Sequence, residues 1–278
     1  WHGPKKGGFF RYFFVRKSYK TNELLCNLVT TSSGLETFDL QKFALFLKGI
    51  FGARLAGLLH TINDETGDRT IATSGSINLV YGKDKIVEEL LNLDFEISMK
   101  SFFQTNPKCA EKLYNKVVEY VLEDKSKVDN TVVMDLFCGT GTIGQIVASR
   151  SDNAKIVGVD IVASAIEDAQ KNAKRNKIEG LQFYAADVGK FLTNHPEYES
   201  KIKTIILDPA RAGIAPKTLQ KIINLNADRM VYVSCNPATQ ARDTELLREA
   251  GYQLKKISLV DQFPHTAHIE TVVLFEKC

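Results

Sequence analysis

The stretch Val231-Tyr-Val-Ser-Cys-Asn-Pro-Ala-Thr239 reads as a strand of β-branched and aromatic residues that ends at a cysteine, before Asn-Pro turns the chain into a helix. In an open parallel sheet, ligands bind at the carboxyl ends of the strands. Cys235 therefore stands where chemistry occurs, and not mid-strand, where packing would account for it. A lone cysteine is most often an inert small hydrophobe, so its company decides. That company is a set of acids ending neighbouring strands. Asp135-Leu-Phe-Cys-Gly-Thr-Gly-Thr-Ile-Gly144 closes one strand with glycines at 139, 141 and 144, which let the backbone turn tightly and approach a ligand at a helix start. Asp135 before that loop would repel a pyrophosphate but suits the cationic methionine end of S-adenosyl-L-methionine. Asp160 can accept from ribose hydroxyls, and Asp187 is placed to meet an adenine amine, although taken singly Asp187 reads better as a helix cap. Charge thus favours a methyl donor over a nicotinamide cofactor. Asp208-Pro-Ala-Arg-Ala-Gly213 leaves Asp208 at the sheet edge beside the same cleft, with Arg211 free for a phosphate, for Asp208 or for a surface ion pair.

The elements that must position these residues change character near residue 100. Short strand-like runs dominate first, at Phe9–Arg16, Leu24–Thr31, Leu55–Asn63, Arg69–Thr73 and Phe95–Met99, with one helix at Leu40–Phe51 presenting Phe43, Leu47 and Ile50. This predicts a small α+β domain of antiparallel strands over residues 1–98. Asn106-Pro107 opens a long helix with an apolar face of Leu113, Val117, Tyr120 and Val121, and residues 124–130 read as a connector. Strands at Val132–Phe137, Lys155–Val159, Leu181–Ala185, Thr204–Leu207 and Met230–Ser234 then alternate with helices, Val162–Asn176 the clearest. That predicts an α/β catalytic domain over residues 99–278, built on a doubly wound parallel sheet. Gln253–Leu259 and Thr271–Phe275 have no helix between them and are expected to finish the sheet as an antiparallel pair.

The totals set bounds. The 278 residues carry 44% hydrophobic composition and a net charge of +3, mildly basic. Lys5, Lys6, Arg11, Arg16, Lys17 and Lys20 come before the first acid, Glu23, interleaved with six aromatics. Such a mixture suits nucleic acid, where cations neutralise phosphate and rings stack on bases; it equally describes a strand with one solvated cationic face. Five cysteines without paired spacing argue against a disulfide scaffold and for a reducing compartment. No apolar run reaches membrane-spanning length and the start lacks a signal-peptide core, so a soluble, cytoplasmic protein without a membrane partner is expected. The chain opens at Trp1, not Met, and reads as a fragment of something longer.

Together, Phe103-Gln-Thr-Asn-Pro107, Asp135-Leu-Phe-Cys-Gly-Thr-Gly141, Asp208-Pro-Ala-Arg211, Ser234-Cys-Asn-Pro-Ala-Thr239 and Phe263-Pro-His-Thr-Ala-His-Ile-Glu270 resemble the RNA uracil-5-methyltransferases, which make 5-methyluridine. The motifs fall in order over the last two thirds of the chain; the cysteine and Pro-His-x-x-His-x-Glu segments are specific, the glycine loop is not. The resemblance implies a methyltransferase sheet, S-adenosyl-L-methionine, Cys235 as nucleophile and Glu270 as base. It implies Gln104, Phe137, Asp160, Asp187 and Asp208 as contacts to the methyl donor or active site. Thr142 stands where many relatives carry Asn, and Asp160 replaces the more frequent Glu, one methylene shorter. The ribosomal branch of that family often adds an oligonucleotide-binding barrel and an iron–sulfur cluster; neither is visible, and Cys26 alone cannot hold a cluster.

The chemistry matches the residue types. Thiolate addition at C6 of uracil makes C5 carbanion-like, C5 takes the methyl group, and a base removes the C5 proton so that sulfur can leave. A free thiol is only a few per cent ionised at neutral pH, and the helix N-terminus after Asn236-Pro237 is expected to lower its pKa. Asp261, His265, His268 and Glu270 make an alternative metal set. Tetrahedral sites more often include cysteine or a third histidine, so no metal is expected and the histidines are expected to shape the pocket around Glu270. The expected partner is RNA, ribosomal before transfer RNA on the form of the Asp-Pro-Ala-Arg-Ala-Gly and Asn-Pro-Ala-Thr segments, with the protein a monomer. A base N-methyltransferase needs no such cysteine and usually has a Pro-Pro-aromatic segment where this chain has Pro209-Ala-Arg211. A non-catalytic RNA-binding module would not need Cys235, Asp208 and Glu270 intact.

Overall fold

The computed structural model of the chain describes residues 8–65, 77–199 and 201–278. The strand expected at Arg69–Thr73, and Lys5 and Lys6, lie outside the described residues. Two compact units emerge, one reaching Glu89 and including Phe95–Lys100, the other comprising Leu90–Asp94 and Ser101–Cys278.

In the first unit, β1 (Phe10–Lys17), β2 (Leu24–Thr30), β3 (Leu55–Ile62) and β4 (Ile77–Gly82) form a sheet in that order. The antiparallel expectation is corrected here: β1–β2 and β3–β4 are antiparallel, but β2 and β3 run parallel. The reason is α1 (Leu40–Phe51), which carries the chain back to the start of the sheet, as a parallel pair requires. Asp39 caps α1 by accepting from the Lys42 amide. Ala44 and Leu47 are its buried residues, with Phe43 packed partly against the same core, whereas Ile50 is exposed. A hairpin of β5 (Lys85–Leu90) and β6 (Leu93–Ser98) follows, turning on Leu91-Asn92, both at positive φ as a type I′ turn demands. The alternation in β5 is masked in the sequence because Glu88 occupies an inward position. Its carboxylate is buried and accepts from the Tyr19 and Lys20 amides.

The second unit begins with α2 (Pro107–Leu122), capped by Asn106 with proline in its first turn. There follow β7 (Val132–Leu136), α3 (Thr142–Ser149), β8 (Lys155–Asp160), α4 (Ala163–Arg175), β9 (Leu181–Ala185), α5 (Val188–Asn194) and β10 (Ile202–Leu207). The chain closes with α6 (Pro216–Asn224), β11 (Arg229–Ser234), α7 (Pro237–Glu249), β12 (Tyr252–Val260) and β13 (Glu270–Lys277). The sheet order is β12-β13-β11-β10-β7-β8-β9. The five strands from β9 to β11 are parallel, and β13 lies antiparallel to both β11 and β12. Leu136, Val159, Leu207, Met230 and Tyr232 pack in the main core beside this sheet. Strand order reverses at β7, whose neighbours are β8 and β10. The crevice outside the carboxyl ends of the strands at that point is where such sheets take ligands.

Candidate active site

At the end of β7 the chain makes a sharp exit. Phe137 adopts φ +64°, a strained value for an aromatic residue, with its N–H bonded to the Val159 carbonyl at 2.8 Å. Gly139 (φ +53°) and Gly141 (φ +67°) complete the turn into α3. Asp135 is wholly buried beneath this loop: Oδ2 accepts from the Gly144 amide at 2.9 Å, while Oδ1 has no partner among the described residues. Burial above all, then the charge of Asp160, raises its carboxyl to about 7, against the bond from Gly144. Asp160 holds the loop from the next strand, Oδ2 accepting from the Gly139 amide at 2.9 Å and Oδ1 from that of Val162 at 2.8 Å. Thr142 is buried, its hydroxyl 3.1 Å from that of Thr140. Asp187 is exposed and caps α5 by accepting from the Lys190 amide, the role its single-residue reading favoured.

The loop admits little change. A Cβ on Gly141 would meet the Phe183 ring at 2.5 Å, at a φ that L side chains rarely adopt. Gly141→Ala is expected to cost about 1–2 kcal/mol in backbone strain before the ring moves. That lowers the melting midpoint by about 2–4 °C per kcal/mol, measurable by calorimetry; an unchanged midpoint would contradict the loop geometry.

The second half of the site follows from register. Ser234, the last residue of β11, pairs with Thr271 in β13. Cys235 and Glu270 lie directly beyond this last pair, and the Glu270 charge acts on the Cys235 thiol. Ser234 and Thr271 are pinned below them. The Thr271 hydroxyl is 3.1 Å from the Ser234 carbonyl and 2.7 Å from Oε1 of Gln240, whose amide reaches the Tyr232 carbonyl. Asp208 directly follows β10, the strand beside β11, its N–H on the Leu136 carbonyl. Thiol and both carboxyls feel one another. Burial raises Asp208 to about 8, with Glu270 and then Asp135 adding to the rise. Burial also raises Glu270. The expectation of a lowered thiol is corrected: burial, then Glu270 and Asp208, push Cys235 up, and its backbone hydrogen bond and then Arg211 offset only part. Asn236 caps α7, its Oδ1 accepting from the Ala238 amide.

A carboxyl held protonated in the folded chain but ionised in the unfolded one makes stability fall with pH. For Asp208 the window runs from about 4, the unfolded value, to about 8. Its contribution is complete below that window and lost above it. Asp208→Asn does not titrate, so its melting midpoint relative to the parent is expected to rise across the window and then level off. A pH-independent difference would contradict the buried carboxyl.

Three features were not read from the sequence. Tyr114, on α2, is buried with its hydroxyl bonded to Gln104 and in the field of Asp208, Glu270 and Asp135. Gln262 is wholly buried, with Nε2 3.3 Å from Oε1 of Gln104. Arg211 turns to His268, Nη1 to Nδ1 3.2 Å, instead of to Asp208. Arg211 and His268 lay in segments singled out beforehand, and Gln262 sits just before one; Tyr114 sits one position off the apolar face assigned to its helix. His265 and His268 are exposed, and among the described residues no three His, Cys, Asp or Glu converge as metal ligands. No described helix is long and apolar enough to cross a membrane.

A five-stranded parallel sheet extended by an antiparallel pair, with a glycine turn and acids at its carboxyl edge, defines the Rossmann-like fold of S-adenosylmethionine-dependent methyltransferases. The chain belongs to the methyltransferase-domain family, whose pattern matches residues 127–268. It is 44% identical over 271 residues to an uncharacterized RNA methyltransferase of Clostridium acetobutylicum, covering 97% of this chain and 57% of that protein. It is 43% identical to one of Clostridium tetani over 267 residues, 96% of this chain and 56% of that one. The chain thus spans little more than half the length of these relatives. Among solved structures, the Pyrococcus abyssi tRNA (uracil-54, C5)-methyltransferase in complex with S-adenosyl-L-homocysteine superposes with a TM-score of 0.72. It is 29% identical, over 98% of this chain and 61% of that one.

Proposed function

We propose that this chain is the catalytic part of an RNA (uracil-5-)-methyltransferase that uses S-adenosyl-L-methionine and a transient bond between Cys235 and C6 of the target uridine. The observation that carries the proposal is that Cys235 and Glu270 lie directly beyond the Ser234–Thr271 pair that ends the β11–β13 ladder, with Asp208 just past the adjoining β10 and both carboxyls acting on the thiol. The residues fit the methyl donor. Asp135 keeps a buried carboxyl oxygen without a partner among the described residues for a cation. Open space lies beside Gly139, and Phe137, Thr142 and Asp160 stand at the same turn, with Asp187 proposed as the adenine contact from the start of α5. When bound, that molecule supplies an electrophilic methyl group on a sulfonium.

The chain's own groups do the rest. The Cys235 thiol loses its proton to solvent, and the thiolate sulfur bonds to C6, which moves the C5–C6 π pair toward the O4 carbonyl and makes C5 nucleophilic. Asp208, raised to about 8, is protonated at neutral pH and can donate to ring oxygen as it gains charge. Once C5 carries the methyl group, Glu270 takes the C5 proton, the C5–C6 double bond re-forms and sulfur leaves. A uridine in a helix must first be flipped out to meet both groups.

RNA as substrate is supported by the relatives' names and by β1, where Phe10 and Phe13 are exposed among basic residues. The Asp-Pro-Ala-Arg-Ala-Gly segment favours 23S ribosomal RNA; the Pyrococcus abyssi likeness favours transfer RNA as the second reading. Incubation with [5-³H]uridine-labelled RNA and S-adenosyl-L-methionine tests the reaction. Tritium release matched to methyl uptake is expected, and methyl uptake without release would overturn C5 as the target. Mass-spectrometric mapping of the product in both RNAs identifies the uridine.

A further inference from the structure

We propose that Tyr114 and Gln262 are positioning residues that lock the side-chain amide of Gln104 in one orientation, and that this lock makes the site accept uracil and reject cytosine. The inference deepens the C5 reading above and rests on it.

The orientation follows from one unambiguous atom. The backbone carbonyl of Asn106 can only accept, and the Gln262 amide approaches it at 3.4 Å, so that end must be the Nε2 donor. The same nitrogen lies 3.3 Å from the Gln104 amide, so the atom it meets there must be the acceptor Oε1. The other end of Gln104 is then its NH2. Tyr114, buried on α2, has its hydroxyl bonded to Gln104 as well. Two amides that could each be placed either way round in isolation are fixed by a single backbone oxygen.

The lock is rigid for stated reasons. Gln262 is wholly buried, and turning it would set its oxygen against two acceptors. Its own carbonyl accepts from Asn106 Nδ2 at 3.0 Å, while Asn106 Oδ1 caps α2 through the Cys109 amide. Tyr114 is 6% exposed and held in the same helix. Oε1 of Gln262 keeps no partner among the described residues. A buried carbonyl is left unsatisfied while the donor end is used twice, an arrangement a merely space-filling side chain does not need.

An amide held by its Oε1 presents its N–H and oxygen in one fixed order, beside the hydroxyl that feels Asp208 and Glu270. That pair matches one edge of a pyrimidine. Uracil offers N3–H as donor and O4 as acceptor; cytosine reverses both, with N3 as acceptor and its amino group as donor. The bond from sulfur to C6 and the methyl transfer at C5 fix which way the ring lies. A freely turning amide would suit either base, whereas a locked one suits only one. Cytosine has the same reactive C5–C6 bond, so cysteine chemistry alone does not exclude it.

The test compares kcat/KM of the parent, Tyr114→Phe and Gln262→Met on an unmodified transcript of the methylated RNA, with the mapped uridine retained or replaced by cytidine. Both variants keep the packing volume and lose one polar contact. Each is expected to lower the uridine-to-cytidine preference by about tenfold or more, with cytidine methylation rising in absolute rate. Uridine and cytidine rates that fall together, or a preference unchanged in a folded variant, would reduce these residues to packing and overturn the inference. Either variant suffices if the other fails to fold. A parent that releases no C5 tritium from uridine would remove the reading of the site itself, a result distinct from an unchanged preference.

Discussion

Cys235→Ala is expected to lower methyl transfer to uridine by about four orders of magnitude or more, the scale on which loss of a covalent nucleophile is felt. Without sulfur on C6, the C5–C6 bond of uracil is too poor a nucleophile, and none of the remaining side chains adds to carbon as readily. The substitution removes a half-exposed sulfur at a strand end, not a core side chain. Its melting midpoint and its affinity for S-adenosyl-L-homocysteine should therefore stay close to those of the parent. That combination separates a chemical defect from a folding defect. Because burial and two carboxyls hold the parent thiol above its ordinary value, the parent rate should rise with pH through the neutral range as the thiolate fraction grows, until Asp208 loses its proton at about 8. Appreciable turnover by the alanine protein would exclude the covalent route.

How much of this was legible in the sequence depends on whether a signal was local. Asn106-Pro107, the alternation after residue 131 and the Asn-Pro break after Cys235 are local, and α2, the parallel sheet and the strand-end cysteine follow from them. The mixed sheet of the first unit is not local. Whether β2 and β3 run parallel depends on where α1 delivers the chain, which strand patterns do not record. Glu88 hid β5 because a buried carboxylate satisfied by two amides looks, in sequence, like a break in an apolar face. The state of the Cys235 thiol was misread for a related reason. The helix start was visible, but the burial of the thiol and the approach of Glu270 and Asp208 arise only on folding. Tyr114, Gln104 and Gln262 come from separate segments and show no common spacing. Only the packing of α2 beside the 261–269 loop brings their amide and hydroxyl groups together.

Glu270→Gln is expected to leave the RNA covalently attached to the protein after methyl transfer, as a band of reduced mobility on denaturing gels that requires both S-adenosyl-L-methionine and Cys235. After transfer C5 is tetrahedral and carries both the methyl group and its original hydrogen. The C6–sulfur bond cannot break by elimination until that hydrogen leaves as a proton. Glutamine fills the same space at the start of β13 but cannot take it. The substitution also acts on Cys235. Glu270 is, after burial, the largest influence holding the Cys235 thiol up, so a neutral amide there moves the thiol back toward its ordinary value. More thiolate forms at a given pH, and the first step is helped by the change that blocks the last. The adduct should therefore accumulate at least as fast as the parent turns over, while tritium release from C5 falls by about two to four orders of magnitude, the range ascribed to a positioned base. Asp208→Asn leaves Glu270 in place and should slow formation of product without trapping RNA. Turnover by Glu270→Gln near the parental rate, with no adduct, would assign the proton to another group and remove Glu270 from the reaction.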